Sequence, residues 1–154
     1  MSASDHLLRT MASIAPGTRV VDLSAGEGRH IVPLALLGLD VRGATDRPEI
    51  ARAALAQVLG QESNRRVVAA SSVASGFAPR SAAWVVLEVA GPTQAASLAE
   101  AYRVLEPGGW VWVETDDASD LEADAAGAGL VVAESPSTDS DGVHAILRRP
   151  GGIG

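Results

Sequence analysis

The sequence predicts a doubly wound α/β domain: a mostly parallel seven-stranded sheet with an antiparallel last strand and helices on both faces. Three observations carry that expectation. Short runs of Val, Leu, Ile and Ala alternate with stretches of helical spacing. Helix-stopping glycines or Pro-Gly pairs separate them at Pro16-Gly17, Gly38, Gly60 and Pro107-Gly108-Gly109. Only 3% of residues are aromatic against 47% hydrophobic, so the core must be aliphatic, as in a sheet covered on both sides.

Element by element, Ser4 to Ile14 reads as a short amphipathic helix with Leu7, Leu8 and Met11 on one side. Arg19 to Leu23 is an apolar strand, followed by the turn Ser24 to Gly28 and a helix over Arg29 to Leu37. Asp40 to Ala44 is the second strand. Asp46 is a candidate N-cap, with Pro48 just inside the helix Glu49 to Leu59. Arg66 to Ala70 and Ala83 to Val89 supply two more strands, and Ser71 to Ser81 between them is loop with at most a short helix. The helix Thr93 to Leu105 precedes the fifth strand, Trp110 to Thr115. Ala118 to Ala126 is the last helix, Leu130 to Glu134 and Val143 to Leu147 the last strands, and Pro150 to Gly154 should fray. Alternating strands and helices imply right-handed crossovers, whereas the short Ser/Asp-rich link before the last strand suits a hairpin.

A length of 154 residues suits a single domain spanning 1–154. There is no Cys, which excludes disulfides, thiolate metal sites and cysteine nucleophiles. All twelve basic residues are Arg, which excludes a P-loop lysine and Schiff-base chemistry. The net charge of −7 opposes binding to nucleic-acid backbones. No apolar run reaches the length of a membrane span and no signal peptide opens the chain, so the expectation is a cytoplasmic protein without membrane contact.

The sharpest motif is the first strand and its turn, Val20-Val21-Asp22-Leu23-Ser24-Ala25-Gly26-Glu27-Gly28. Glycines there let main chain approach a ligand at the carboxyl end of the sheet. A dinucleotide fingerprint would need a third glycine where Ile31 stands, so that class drops. The segment resembles motif I of class I S-adenosylmethionine-dependent methyltransferases, with Ser24 in place of the first glycine. Gly26-Glu27-Gly28-Arg29-His30 and Leu36-Leu37-Gly38-Leu39-Asp40-Val41 look most like the tellurite-resistance type, which acts on small molecules. Ala101 to Trp110, with Pro107-Gly108-Gly109, is similar to the family's later helix, turn and fifth strand. Together the matches cover most of the chain and imply the Rossmann-like methyltransferase core.

The resemblance implies S-adenosylmethionine as cofactor, with Asp22, Ser24, Ala25, Gly26 and Gly28 at its amino-acid end; the plain alternative is a tight turn without a ligand. The family's ribose-binding acid aligns with Thr45, with Asp46 one place later, which leaves Asp46 as either ribose acceptor or helix cap. The acid that reaches the adenine amine aligns with Ser71 or Ser72, and the Phe-Asp pair opening the fourth strand becomes Ala82-Ala83. Glu88 ends the fourth strand where the family faces the transferring methyl group, to orient a substrate amine, act as base, or simply be solvated.

His30 could reach the cleft mouth but, in the first turn of a helix, reads more simply as exposed, and His6 and His144 lie far apart with no metal spacing. The run Glu114, Asp116, Asp117, Asp120, Glu122, Asp124 reads as a polar loop and solvated helix face rather than a metal site. Trp110 and Trp112 read as core. The expected partner is a small-molecule substrate, with a homodimer mate or partner protein completing a shallow cleft. The alternative is a non-catalytic scaffold of the same fold.

Overall fold

The computed structural model describes residues 3–139 and 142–151. Its elements run α1 (Asp5–Met11), β1 (Arg19–Asp22), α2 (Ile31–Leu36), β2 (Asp40–Thr45), α3 (Pro48–Leu59), a 3-10 turn (Gly60–Glu62), α4 (Ser63–Arg66), β3 (Val67–Ala69), β4 (Ala82–Val89), α5 (Gly91–Val104), β5 (Leu105–Thr115), α6 (Leu121–Ala128), β6 (Val131–Asp139) and β7 (Gly142–Arg148).

The strands form one seven-stranded sheet in the order β3-β2-β1-β4-β5-β7-β6. β1 pairs in parallel with β2 on one side and β4 on the other, and β7 lies antiparallel between β5 and β6. The chain builds outward from β1 to β3 and then restarts at β4. The resulting switch point between the carboxyl ends of β1 and β4 is where open α/β sheets bind ligands.

Each face of the sheet has its own apolar layer, because successive strand side chains point to opposite sides. Val21, Leu23, Val85, Leu87, Val111 and Val113 pack against Leu98 and Ala101 of α5 and Leu121 and Ala125 of α6. Val20, Val41, Val86, Trp112 and Ile146 pack against Leu7 and Met11 of α1, Ile31 and Leu34 of α2, and Leu55 of α3. Burial from both sides accounts for the apolar runs Val20-Val21 in β1 and Ala82 to Leu87 in β4. Ser4 caps α1, its Oγ accepting the Leu7 N–H at 3.3 Å. No described helix is long and apolar enough to cross a membrane.

Local expectations differ from the structure at several boundaries. α3 begins at Pro48 with Arg47 at the cap position and no side-chain cap, so Asp46 does not cap it. The Arg47 N–H goes instead to Thr45 Oγ1 at 3.0 Å. Arg66, expected in a strand, closes the short α4, where its guanidinium meets Asp40 and Glu62. The 71–81 stretch holds no helix, only a bridge between Ser71 and Ala74, and is anchored where Ser75 N–H and Oγ donate to Glu100. α6 starts at Leu121 rather than Ala118, because Asp117 Oδ1 accepts both the N–H and the hydroxyl of Ser119 and holds the chain in a turn. β6 runs on to Asp139 through the expected link, since ladder pairing with β7 uses backbone and tolerates polar side chains. Ser140 and Asp141 of that link, and residues 152–154 of the expected frayed end, lie outside the described residues.

Candidate functional site

The turn after β1 is fastened on both sides. Asp22 is buried, and its Oδ1 accepts the Ser24 N–H at 2.9 Å and the Ser24 hydroxyl at 3.2 Å. Ser24 Oγ in turn accepts the Glu88 N–H at 2.7 Å, tying the turn to β4. Toward β2, the Ala25 N–H donates to Ala44 O at 3.0 Å and the Thr45 hydroxyl donates to Gly26 O at 2.7 Å. Gly26 and Gly28 have φ of 55° and 102°, a region costly for any residue with a Cβ. Gly43 of β2 is required for another reason: a Cβ there would stand 2.8 Å from Ala25 Cβ.

Three cavities line the carboxyl edge of the sheet around this turn. The first, about 580 Å3, is lined by Ser24, Gly26, Thr45, Asp46, Ser71 and Ser72 with neighbouring apolar residues. The second, about 780 Å3, lies between Asp5 and Leu8 of α1, the turn residues Ser24 to Arg29, and Glu88. The third, about 600 Å3, is lined by Arg29, Glu88, Glu114, Asp116 and Gly142. Ser24 and Gly26 belong to both the first and second, and Arg29 and Glu88 to both the second and third.

Within the first cavity the side chains differ in how far they are committed. The Thr45 hydroxyl gives its only proton to Gly26 O and accepts the Arg47 N–H, and Ser72 Oγ pairs with Ser97 Oγ at 2.8 Å. Asp46 is exposed on the wall and makes no side-chain hydrogen bond within the described residues.

The electrostatics are set by buried acids. Burial pushes Asp22 up from an ordinary 3.8 to about 6, with the nearby Glu88 charge adding to the rise and His30 and the Ser24 donors opposing it. Its Oδ2 has no hydrogen-bond partner among the described residues. Burial also works against the Glu88 charge, yet the hydrogen bond and charge of His30, together with Arg29, outweigh it and hold Glu88 below the usual carboxylate range. One Arg29 nitrogen lies 3.2 Å from both Glu88 Oε1 and Glu114 Oε2.

The histidines correct the sequence expectation. His30 is 1% exposed rather than solvated. Its Nε2 accepts the Ser4 N–H at 3.4 Å, which places the proton on Nδ1, 2.8 Å from Glu88 Oε1. His6 and His144, 138 positions apart in the chain, stack with centroids 4.9 Å apart, and the Trp112 indole N–H donates to His6 Nδ1 at 2.9 Å. Trp112 is fully buried as expected, whereas Trp110 is half-buried between Trp84 and Arg148. The acidic run is not uniformly solvated either: Glu114 is buried, and Asp124 accepts from Gln94 Nε2 at 2.9 Å.

Of the residues singled out from sequence, Ser24, Gly26, Thr45, Asp46, Ser71 and Ser72 meet around the first cavity, Ala25, Gly28 and Glu88 line the second, and Asp22 lies beneath the turn. Arg29, Glu114 and the α1 residues Asp5 and Leu8 were not anticipated there. The register pairs Glu88 with Glu114 across β4 and β5, and no single-strand pattern reveals that.

No family model matches the chain, and no curated protein matches it. Solved structures do. The (4+2)-cyclase SpnF matches 96% of this chain and 82% of its own at 13% identity, with a TM-score of 0.76. The Burkholderia thailandensis 1,6-didemethyltoxoflavin-N1-methyltransferase, bound to its substrate and S-adenosylhomocysteine, matches 93% and 78% at 16% identity and TM-score 0.72. Geranyl diphosphate methyltransferase, bound to geranyl diphosphate and sinefungin, matches 94% and 77% at 18% identity and TM-score 0.71. The fold is therefore that of the class I S-adenosylmethionine-dependent methyltransferases.

Proposed function

We propose that this chain binds S-adenosylmethionine and methylates a small molecule. The observation that carries the reading is the wall of the first cavity. Ser24, Gly26, Thr45, Asp46, Ser71 and Ser72, all selected by the motif resemblance, meet there, and among them Asp46 presents a carboxylate with no other hydrogen bond among the described residues. A carboxylate accepts two hydrogen bonds at once, as a ribose diol requires. The fixed glycine turn offers bare main chain beside it, and the Ser71 hydroxyl on the same wall would accept from the adenine amine. These residues fit an adenosyl sulfonium.

When bound, the cofactor supplies an electrophilic methyl carbon, so the protein's part is alignment and exclusion of water. Asp46 holds the ribose. The turn Ser24 to Gly28 fixes the amino-acid end, with Asp22 beneath it. α1, through Asp5 and Leu8, covers the second cavity, and Glu88 faces the acceptor from the end of β4. The likeness of Asp22 to Val41 to the tellurite-resistance type supports a small acceptor, and a second copy or a partner protein closes the open side.

The test is a thermal titration with S-adenosylmethionine and S-adenosylhomocysteine. Binding at a hundred times the dissociation constant stabilises the native state by about 2.7 kcal/mol, a clear rise in midpoint. Asp46→Asn should lower the affinity by about ten-fold, the loss of one charge-assisted bond, without moving the ligand-free midpoint. A flat response at millimolar ligand refutes the proposal. That outcome favours a scaffold that has lost the cofactor, a reading supported by the commitment of the Thr45 and Ser72 hydroxyls to the protein itself.

A further inference from the structure

α2 is apolar all round, Ile-Val-Pro-Leu-Ala-Leu, and a helix of that kind is expected to be covered on every side. Ile31, Leu34 and Ala35 do enter the core. Pro33, Leu36 and Leu37, spaced i, i+3 and i+4, instead line an outer groove with Leu8 and Ala12 at the α1 side, and Leu36 is 70% and Leu37 39% exposed. The groove measures about 660 Å3, with Asp5 and Arg9 as its charged rim. Single exposed leucines are ordinary, but two that share one concave wall edged by charge have the character of a binding groove. This groove opens into the cleft. It shares Asp5, Leu8 and Pro33 with the second cavity, whose wall continues through Val32 and Ala54 to the glycine turn and Glu88.

We propose that the groove between α1 and α2 holds the apolar chain of an amphiphilic small molecule, and that this molecule is the methyl acceptor, with its polar head in the second cavity. The second clause rests on the function proposed above. Along α1 from Asp5 to Ala12 the groove extends roughly 10 Å at the helical rise per residue, room for a medium-length chain. Such a chain releases water from the leucines and asks for no hydrogen bonds, and the groove offers polar side chains only at its rim. A partner protein or a second copy would cover the leucines but would not account for the opening into the cleft. A chain joined to a head bound there accounts for both. In the transfer, a lone pair on the head's nitrogen, oxygen or sulfur forms the bond to the methyl carbon as the C–S bond breaks, that bonding pair staying on sulfur. A proton carried by the head atom passes to water, and the products are the methylated amphiphile and a thioether.

Isothermal titration with the straight-chain alcohols butanol, hexanol, octanol and decanol tests the groove, with S-adenosylhomocysteine titrated separately. Affinity should rise about two- to four-fold per added methylene and level off once the chain outgrows the groove. Octanol should shift the amide signals of Leu8, Ala12, Leu36 and Leu37. Leu36→Gln, at an exposed position outside the core, should weaken octanol about three- to ten-fold without moving the unfolding midpoint. Ala12→Glu, which sets a charge on the opposite wall, should do the same and serves if Leu36→Gln disturbs the fold. Affinity that ignores chain length, or octanol shifts confined to other surfaces, would overturn the inference. So would a native dimer that Leu36→Gln turns into a monomer, or binding to phosphatidylcholine vesicles without binding of dispersed octanol. S-adenosylhomocysteine binding without octanol binding sinks the groove alone. Octanol binding without S-adenosylhomocysteine binding keeps the groove and removes the methyltransferase reading.

Discussion

His30 joins the start of α1 to the end of β4: its Nε2 accepts the Ser4 N–H at 3.4 Å while its Nδ1 stands 2.8 Å from Glu88 Oε1. The ring is edge-on to Trp112 at 5.6 Å and almost wholly buried, so one side chain fixes both the covering helix and a candidate substrate ligand. His30→Ala should cost about 2–4 kcal/mol in urea unfolding, from the cavity and the lost hydrogen bonds. Proteolysis within the first fifteen residues should speed up in the same variant. An unchanged unfolding midpoint would show that α1 docks without it.

Asp22 makes stability depend on pH in a direction opposite to that of a salt-bridged acid. Its folded value of about 6 lies above the ordinary 3.8, so the folded state binds the proton more tightly. The resulting stabilisation is fully present below the unfolded value and is lost as pH rises through about 6. Relative to Asp22→Asn, which does not titrate, the native protein should lose on the order of 3 kcal/mol between about pH 4 and pH 7. Urea midpoints of the two proteins across that window check it; a constant difference contradicts it.

Thr45 contributes through its hydroxyl, which donates to Gly26 O and accepts from Arg47 N–H. Thr45→Val keeps the shape and leaves both backbone groups without that partner. Stability should fall by about 1–3 kcal/mol, and affinity for S-adenosylhomocysteine should fall with it as the turn loosens. Calorimetry on the variant would expose a turn held by other means if affinity stayed at the native level.

Gly43 leaves no room for a methyl group. Gly43→Ala places a carbon 2.8 Å from Ala25 Cβ and 3.5 Å from Ile31 Cγ2. Relief requires the turn or α2 to shift, at a cost of about 1–3 kcal/mol. Chemical denaturation measures the cost, and amide shifts in Ser24 to Gly28 should report the displacement. A variant as stable as the native protein would mean that the turn has slack.

Much of the architecture was legible because it depends on periodicities that lie within single segments. The apolar runs at Val20-Val21 and Val85-Val86-Leu87 and the glycines at 26 and 28 each carry their conformation locally, whereas the helix expected to stop at Pro107-Gly108-Gly109 ends at Val104 and β5 already runs through that turn. Motif resemblance added Asp46, Ser71 and Ser72, and these do share a cavity. The cap role of Asp46 was equally legible and did not hold, because α3 begins at Pro48 with Arg47 at the cap position.

Composition and local patterning carry the strand and helix order, the aliphatic core, the lack of thiol and lysine chemistry, and the glycine turn at the end of the first strand. Which charged groups meet is settled by the assembled sheet and its docked helices. His6 comes to stack on His144, and Arg29 comes to bridge Glu88 and Glu114, because sheet register and helix docking set distances between residues as many as 138 positions apart. Burial then converts those encounters into chemistry: once water is excluded, a carboxylate pairs with a cation, as Glu88 does with Arg29, or holds its proton more tightly, as Asp22 does.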